Sequence, residues 1–352
     1  MSYTFELNNE RKDANFVSGK VKANSPVVEI FSAMAQGKDL SPYGKKADAA
    51  AKYIMELNSK ASNGDVNAMS ELNEIRRFAM EPVLMKEIKL LSIYGNYKPI
   101  GFNDSCEVEI PEFANLDSKI QAAGQDVTFP VIRKKRVPIA TVNISGGYAV
   151  DYRKAAVGDM TDENELQDQV RVQIRNKAAK YVVETIYNAI KNAKGVKYLA
   201  DDASLTKTNA DKVRRFGKPT ITGDYALISK FNGFAGFQGT TPAVTGISQK
   251  VMDEIHSTGL MGMYNGAVLA ELPNPYDLTT MNKAGDNFDT MLPAGLGYVI
   301  PAGGQSPIYT ITRGGLTSFT GTDVTTGQII SRFDLSVGAL VASGREYEIG
   351  LI

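Results

Sequence analysis

The segment Asp162–Lys194, DENELQDQVRVQIRNKAAKYVVETIYNAIKNAK, constrains this chain more than any other. At ~1.5 Å per residue it predicts one helix of roughly 50 Å, longer than most globular helices. Asp162 with Glu165 three residues on makes a capping-box-like start, in which side chains satisfy free backbone N–H groups. Acids (Asp162, Glu163, Glu165, Asp168) fill the first turns and Lys191 and Lys194 the last, the order that suits the helix dipole, and Gly195 supplies the stop. Leu166, Val170, Ile174, Ala178, Tyr181, Val182, Ile186 and Ile190 recur at helical spacing, so one face is buried along the whole length. A rod with a single apolar face, set among β-rich sequence, reads as a structural spine rather than the wall of an active site. An ordinary long core helix is the plainer alternative.

With 352 residues the chain can bury a sizeable core, and its length predicts two or three subdomains. Lys plus Arg and Asp plus Glu both total 39, so the formal net charge is zero. That argues against a dedicated nucleic-acid binder, whose affinity comes from neutralising phosphates, but leaves room for weak contact through one face. It also leaves little long-range repulsion between copies, which permits self-association. Cys106 and His256 are the sole residues of their types, and tryptophan is absent. A lone cysteine excludes an internal disulfide and a cysteine-rich zinc site, and a catalytic triad would need His256 as its base. The N-terminal MSYTFELNNERKD lacks the basic-then-apolar pattern of a secretory signal, so a cytosolic, reducing setting is expected. The uncharged stretch Thr290–Thr312 carries Pro293, Pro301, Pro307 and several glycines, which makes it irregular or β; no membrane segment is predicted.

Along the chain, the first hundred residues read as an arm with helices near Pro26–Gln36, over Lys46–Lys60, and again after Asn63-Gly64, where Asp65 caps a stripe of Val66, Met69, Leu72, Ile75 and Phe78. Pro82 is expected to kink that helix or open a new one, which continues over Leu84–Tyr94. These stripes are expected to need partners elsewhere to be buried. From Phe102 the pattern turns β. Val127, Phe129 and Val131 alternate, the basic run Arg133, Lys134, Lys135, Arg136 follows, and Val137 and Ile139 alternate again. Ile144–Tyr148, with Gly146-Gly147, reads as a tight hairpin, and Tyr148, Val150 and Tyr152 share a face of the outgoing strand. Beyond the spine, Pro219–Thr222 predicts a strand, Asp224 a cap for a helix over Tyr225–Phe231, and Ile247–His256 another short helix. Phe231, Phe234 and Phe237, interleaved with glycines, fit a compact loop, and Ala267–Leu272 a strand ended by Pro273-Asn274-Pro275. Near the end Ile329, Ser331, Phe333, Leu335 and Val337 lie on one strand face, and the apolar terminus Leu351-Ile352 is expected to be tied into a sheet.

Chemistry-bearing patterns are sparse. Gly303-Gly304-Gln305 matches the tripeptide of peptide-release factors but lacks basic flanks, so a glycine turn between strands is preferred. Arg133–Arg136 resembles a localisation or phosphate-binding cluster. Flanked by alternating apolar residues, it fits a solvated hairpin tip or exposed strand edge better, where charges discourage edge pairing and would meet acids of a neighbouring subunit. His256 lies beside Ser257 and near Asp253 and Glu254, but adjacent helical residues point apart, so this is not a triad. Cys106 reads as a small buried residue at a strand start. Asp201-Asp202 pairs with no histidine or cysteine at a ligand spacing, and Gly259–Gly266 lacks the lysine of a phosphate loop and runs helix–loop–strand.

The order of the pieces carries a resemblance: helical arm, long β excursion, spine helix, mixed α/β region, β return. With MDEIHSTGLMGMYNGAVLAELPNPYD (Met252–Asp277, with Gly259, Gly262, Tyr264 and Gly266), FGKPTITGDYALISKF (Phe216–Phe231) and the closing GALVASGREYEIGLI, the chain resembles tailed-phage major capsid proteins of the Hong Kong-type fold over residues 100–352. The resemblance implies an α+β chain with arm 1–101, extended β loop 102–158, peripheral domain 159–214 (spine helix 162–194) completed by 301–352, and axial domain 215–300. It implies a shell subunit, not an enzyme, that forms pentamers and hexamers and meets portal and scaffold or decoration proteins. It would enclose double-stranded DNA contacted weakly and non-specifically, in a virion assembled in the host cytoplasm. No cofactor, metal or membrane is expected. Some family members crosslink a lysine to an asparagine of another subunit; neither partner can be placed in this sequence, so no crosslink is expected. Arg133, Lys134, Lys135 and Arg136 remain the candidate inter-subunit contacts. The same fold builds encapsulin compartments, the nearest alternative. A soluble α/β enzyme using a serine or carboxylate nucleophile with His256 is the remote one.

Overall fold

The computed structural model describes residues 25–35, 38–112, 133–151, 153–154, 161–191, 210–233, 237–239, 260–272, 274–292, 295–301, 306–323 and 325–352. Residues 1–24, the loop strand around Val127–Val131, Asp201-Asp202, Phe234, Ile247–His256, Gly259 and Gly303-Gly304-Gln305 lie outside them, as does the expected helix stop at Lys194-Gly195.

Three helices open the chain: α1 (Pro26–Ala35), α2 (Lys45–Ser62) and α3 (Val66–Lys89). Asp65 caps α3 as expected, its Oδ1 accepting from the backbone N–H of Asn67 at 2.9 Å and Ala68 at 3.3 Å. The expectation that these stripes need outside partners holds for Met80, Leu84, Ile88, Leu91 and Tyr94, which join the core of the spine and sheet, and is corrected for the rest: Val27, Phe31, Ile54, Leu57, Leu72 and Ile75 form a core of their own. No new helix opens at Pro82: α3 runs through it as one helical segment, since proline removes only one N–H donor from the ladder. Pro82 falls where α3 leaves the first core and Leu84 and Ile88 enter the second.

That second core lies under a four-stranded sheet, ordered β1 (Asn96–Ile100), β12 (Ile308–Asp323), β13 (Gln328–Val341), β4 (Thr141–Asp151). β1 runs parallel to β12 and the other pairs are antiparallel. The spine is α4, Thr161–Lys191. Its residues Val170, Ile174, Ala178, Val182, Ile186 and Ile190 are all buried, against a sheet face that includes Ile329, Phe333, Leu335 and Val337. The hairpin expected at Ile144–Tyr148 is not there; β4 runs straight through it, paired with β13. The two glycines serve close approach instead. A Cβ on Gly146 would stand 3.0 Å from Val170 Cγ1, and one on Gly147 2.6 Å from the Ser331 carbonyl oxygen.

A six-stranded sheet follows the order β14 (Gly350–Leu351), β11 (Gly297–Pro301), β5 (Pro219–Gly223), β8 (Ala267–Glu271), β7 (Leu260–Tyr264), β6 (Phe237–Gly239). Ile221, Leu227, Phe231, Tyr264, Leu269 and Val299 fill its core. Asp224 caps α5 (Tyr225–Ile228), accepting from Leu227 N at 2.9 Å. Leu260–Glu271 is a hairpin, so strand β7 stands where the sequence read a glycine-punctuated turn before Ala267. Asn265 and Gly266 both take positive φ (47° and 76°), as a two-residue turn requires. The C-terminus is tied in: Ile352 N donates to Gly297 O at 2.8 Å beside the β14–β11 pair. Two ribbons stand apart from the sheets, β2 (Glu107–Glu112) with β3 (Arg133–Pro138), and β9 (Tyr276–Met281) with β10 (Phe288–Thr290). Among the described residues no helix is long and apolar enough to cross a membrane.

Candidate functional site

Strand β3 opens with the basic run, and Lys134, Lys135 and Arg136 are exposed, as one of the sequence readings expected. Its register sets Arg133 opposite Glu112, Lys134 opposite Pro111, Lys135 opposite Ile110 and Arg136 opposite Glu109. Lys134 Nζ lies 3.3 Å from Glu109 Oε2 and Arg136 3.3 Å from Glu109 Oε1, so one carboxylate serves two cations. The hydrogen bond and charge of Lys134, then those of Arg136, hold Glu109 below the ordinary carboxylate range. All three side chains are well exposed, and such pairs add little to stability. Lys135 points to the opposite ribbon face by strand alternation. The ribbon joins the body through Ile100, Val108, Ile139 and Ile311, with Cys106 half-buried beside them. Next to this joint opens a cleft of about 700 Å³, lined by Lys98, Ile100, Glu107, Val108, Arg136 and Tyr309 among others.

The second ribbon has no counterpart in the sequence reading. Phe288 is paired with Met281, Asp289 with Asp277 and Thr290 with Tyr276. Three of its large apolar side chains face solvent: Tyr276 is 53%, Met281 54% and Phe288 37% exposed. The ribbon is nevertheless well held. At its root Asn274 exchanges hydrogen bonds with the Leu292 backbone (2.8 and 3.0 Å), and Met291 N donates to Pro275 O at 2.9 Å. At its tip the Asn282 side chain accepts from Gly285 N and donates to Asp286, both at 2.7 Å. The cluster of Asn282, Gly285, Asp286 and Asn287 between two β-prone segments was the available signal.

The interior holds a polar junction that periodicity could not reveal. Arg76 of α3 is fully buried and donates to Glu163 of α4 (Nε to Oε1, 2.6 Å), to Thr320 of β12 (3.1 Å) and to Asn58 of α2 (3.3 Å). Tyr148 of β4 also donates to Glu163, at 3.3 Å. Burial disfavours the Arg76 charge; the Glu163 carboxylate and the Tyr148 hydroxyl together more than offset this, and the guanidinium is held above its ordinary value. Burial, then the same carboxylate, raises the Tyr148 hydroxyl as well. Asn73 extends the junction, its carbonyl accepting from Ser318 at 2.8 Å and its side chain from Thr320 at 2.5 Å. Among the described residues no group of three or more His, Cys, Asp or Glu could hold a metal ion.

Residues 8–352 match the family model described as "SPbeta prophage-derived putative capsid protein YonB". No curated protein matches the chain. Similar solved structures include the head of Helicobacter pylori bacteriophage KHP40 (12% identity, TM-score 0.47, covering 72% of this chain and 83% of that one). Mycobacterium phage Che8 is comparable, at 13% identity, TM-score 0.44, and coverage of 70% and 84%. So is a virus-like particle from Pyrococcus furiosus, at 11% identity, TM-score 0.44, and coverage of 78% and 97%.

Proposed function

The chain belongs to the prophage-derived capsid protein family of YonB, and we propose that its copies build the icosahedral head of a tailed phage from pentamers and hexamers around double-stranded DNA. The capsid role itself follows from membership, because the family model spans nearly the whole chain. That span is the observation that carries the reading. It favours a phage head over an encapsulin-type compartment.

A purely structural, non-enzymatic role fits a molecule whose longest described helix is seated on a sheet, with ribbons standing off the body. The domain assignment that suits this reading is arm 1–101, loop 102–158, peripheral domain 159–214 with 301–352, and axial domain 215–300. Arg133–Arg136 would contact a neighbouring subunit. Portal, scaffold or decoration proteins would complete the particle, DNA would be touched weakly, and assembly would take place in the host cytoplasm. Head subunits with obligate contacts typically bury roughly 2,000–5,000 Å² between partners.

Negative-stain electron microscopy with sedimentation velocity on the purified protein tests this. Closed shells or capsomer rings are the expected result. A monomer persisting at high concentration, with and without a scaffold, would overturn it. One discrete cargo protein in the particles, in place of DNA, would turn the reading towards a compartment.

A further inference from the structure

We propose that the basic patch over residues 211–218, at the entry to β5, contacts the phosphate backbone of the double-stranded DNA inside the head. The proposal rests on the shell reading above and names the surface that touches the DNA. In a chain of zero net charge, these eight residues carry four cations (Lys212, Arg214, Arg215 and Lys218) against one acid, Asp211. Arg214, Arg215 and Lys218 are exposed. Asp211 lies 4.0 Å from Arg214, whereas Arg215 and Lys218 form no ion pair among the described residues. The basic run of β3 differs in this respect, because Glu109 already serves Lys134 and Arg136 there.

The backbone holds these cations in place. Residues 210–214 are helical, and Phe216 N and Gly217 N close the helix by donating to Val213 O at 2.9 and 3.1 Å. Val213 itself is buried in the core of the six-stranded sheet. Phe216 packs edge-on against Tyr347, with ring centroids 5.7 Å apart, which pins the turn to the helical turn Glu346–Glu348. The Arg214 guanidinium donates to the Asn265 carbonyl in the β7–β8 turn, a contact that uses one of its N–H groups and leaves others for a ligand. Cations already fixed in this way lose little conformational entropy on meeting an anion.

The chemistry that suits such a patch is phosphate. Each cation that neutralises a phosphate releases condensed counterions, so binding is blind to sequence and weakens steeply with salt. A few contacts per copy give a weak site. Many copies acting on one DNA molecule add up by multivalency, while each copy lets go readily. A chain with no overall positive charge can hold DNA loosely in this manner through one face.

Fluorescence anisotropy tests the patch, using a labelled DNA duplex of about 40 bp between about 50 and 200 mM salt. The full-length protein is measured both unassembled and as closed particles. Each phosphate contact contributes about 0.9 to the slope of log K against log salt. Arg215→Ala with Lys218→Ala should therefore lower that slope by about two in the unassembled protein, equally for duplexes of different sequence. Arg215→Lys should keep it, because lysine still offers phosphate a point charge. An unchanged slope in the double-alanine chain, with its fold checked by circular dichroism, would overturn the proposal. So would closed particles that bind added duplex as tightly as the unassembled protein, since the patch would then face outward. Loss of particles from the double-alanine chain with the slope intact would assign the cations to a neighbouring copy instead of DNA. Absence of particles from the parent chain is a separate failure: it would remove the shell reading, and packaged DNA as the ligand, whatever the slope.

Discussion

Arg76 joins α2, α3, α4 and β12 through one guanidinium. Taking away a single partner of a buried ion pair costs about 3–5 kcal/mol, because the other charge is stranded, whereas replacing both with apolar groups is often neutral. Arg76→Met should therefore destabilise the fold by about that amount in urea unfolding, and Arg76→Met with Glu163→Met should recover most of it. A double variant as unstable as the single one would mean that Asn58, Thr320 and Tyr148 need the charges more than the charges need each other. Gly147 makes a second case. A methyl pressed 2.6 Å from the Ser331 carbonyl must push β4 from β13, so Gly147→Ala should cost about 1–3 kcal/mol by thermal melting. At this scale the sequence was only partly legible. Asp65 and Asp224 declared their caps locally, within three residues of their partners. Arg76 could not, since Arg76-Arg77 reads as a solvated helix face and Glu163 lies 87 positions away.

Among elements, legibility followed the range of the signal. The spine helix was readable because its period persists through many turns and needs no knowledge of what covers it. Gly146-Gly147 was misread because paired glycines serve a tight turn and a close helix–strand contact equally well; only the position of α4 decides. Asn265-Gly266 is a strong hairpin signal that was hidden by the helical pattern preceding it. Arg133–Arg136 as an exposed strand was legible from its apolar flanks, while the β9–β10 ribbon has too little alternation to announce itself. The last strand was legible from its composition, and it supports a prediction. β14 covers one edge of β11, and Leu351 and Ile352 are buried. Burying one such side chain contributes about 1.5–3 kcal/mol, so deleting residues 350–352 should cost about 3–6 kcal/mol. Thermal unfolding of the truncated chain checks this; an unchanged midpoint would show that β14 is peripheral to the fold.

At the scale of the whole molecule, three large cores among the described residues divide the work, with a small fourth cluster at the root of the β2–β3 ribbon. The N-terminal helices have their own, the spine and four-stranded sheet share the second, and the six-stranded sheet holds a third. Polar groups tie the first two together at the Arg76 junction, and α3 passes through both. The third core draws on Val213 and later residues, none of them from the helical region. Deleting residues 1–60 therefore removes α1 and α2 and uncovers Leu72, Ile75 and Ala79 on α3, without touching a side chain of the third core. Hydrogen exchange should show β5, β8 and β11 as protected as in the full chain, while α3 loses protection in its first half. The same deletion should abolish closed particles, because the exposed stripe on α3 and the loosened Arg76 junction leave the body without a fixed orientation for its neighbours. Normal particles from the truncated chain would reduce the helical region to an accessory. Loss of protection across all three sheet strands would instead show that the cores fold as one cooperative unit, with the N-terminal helices as part of it.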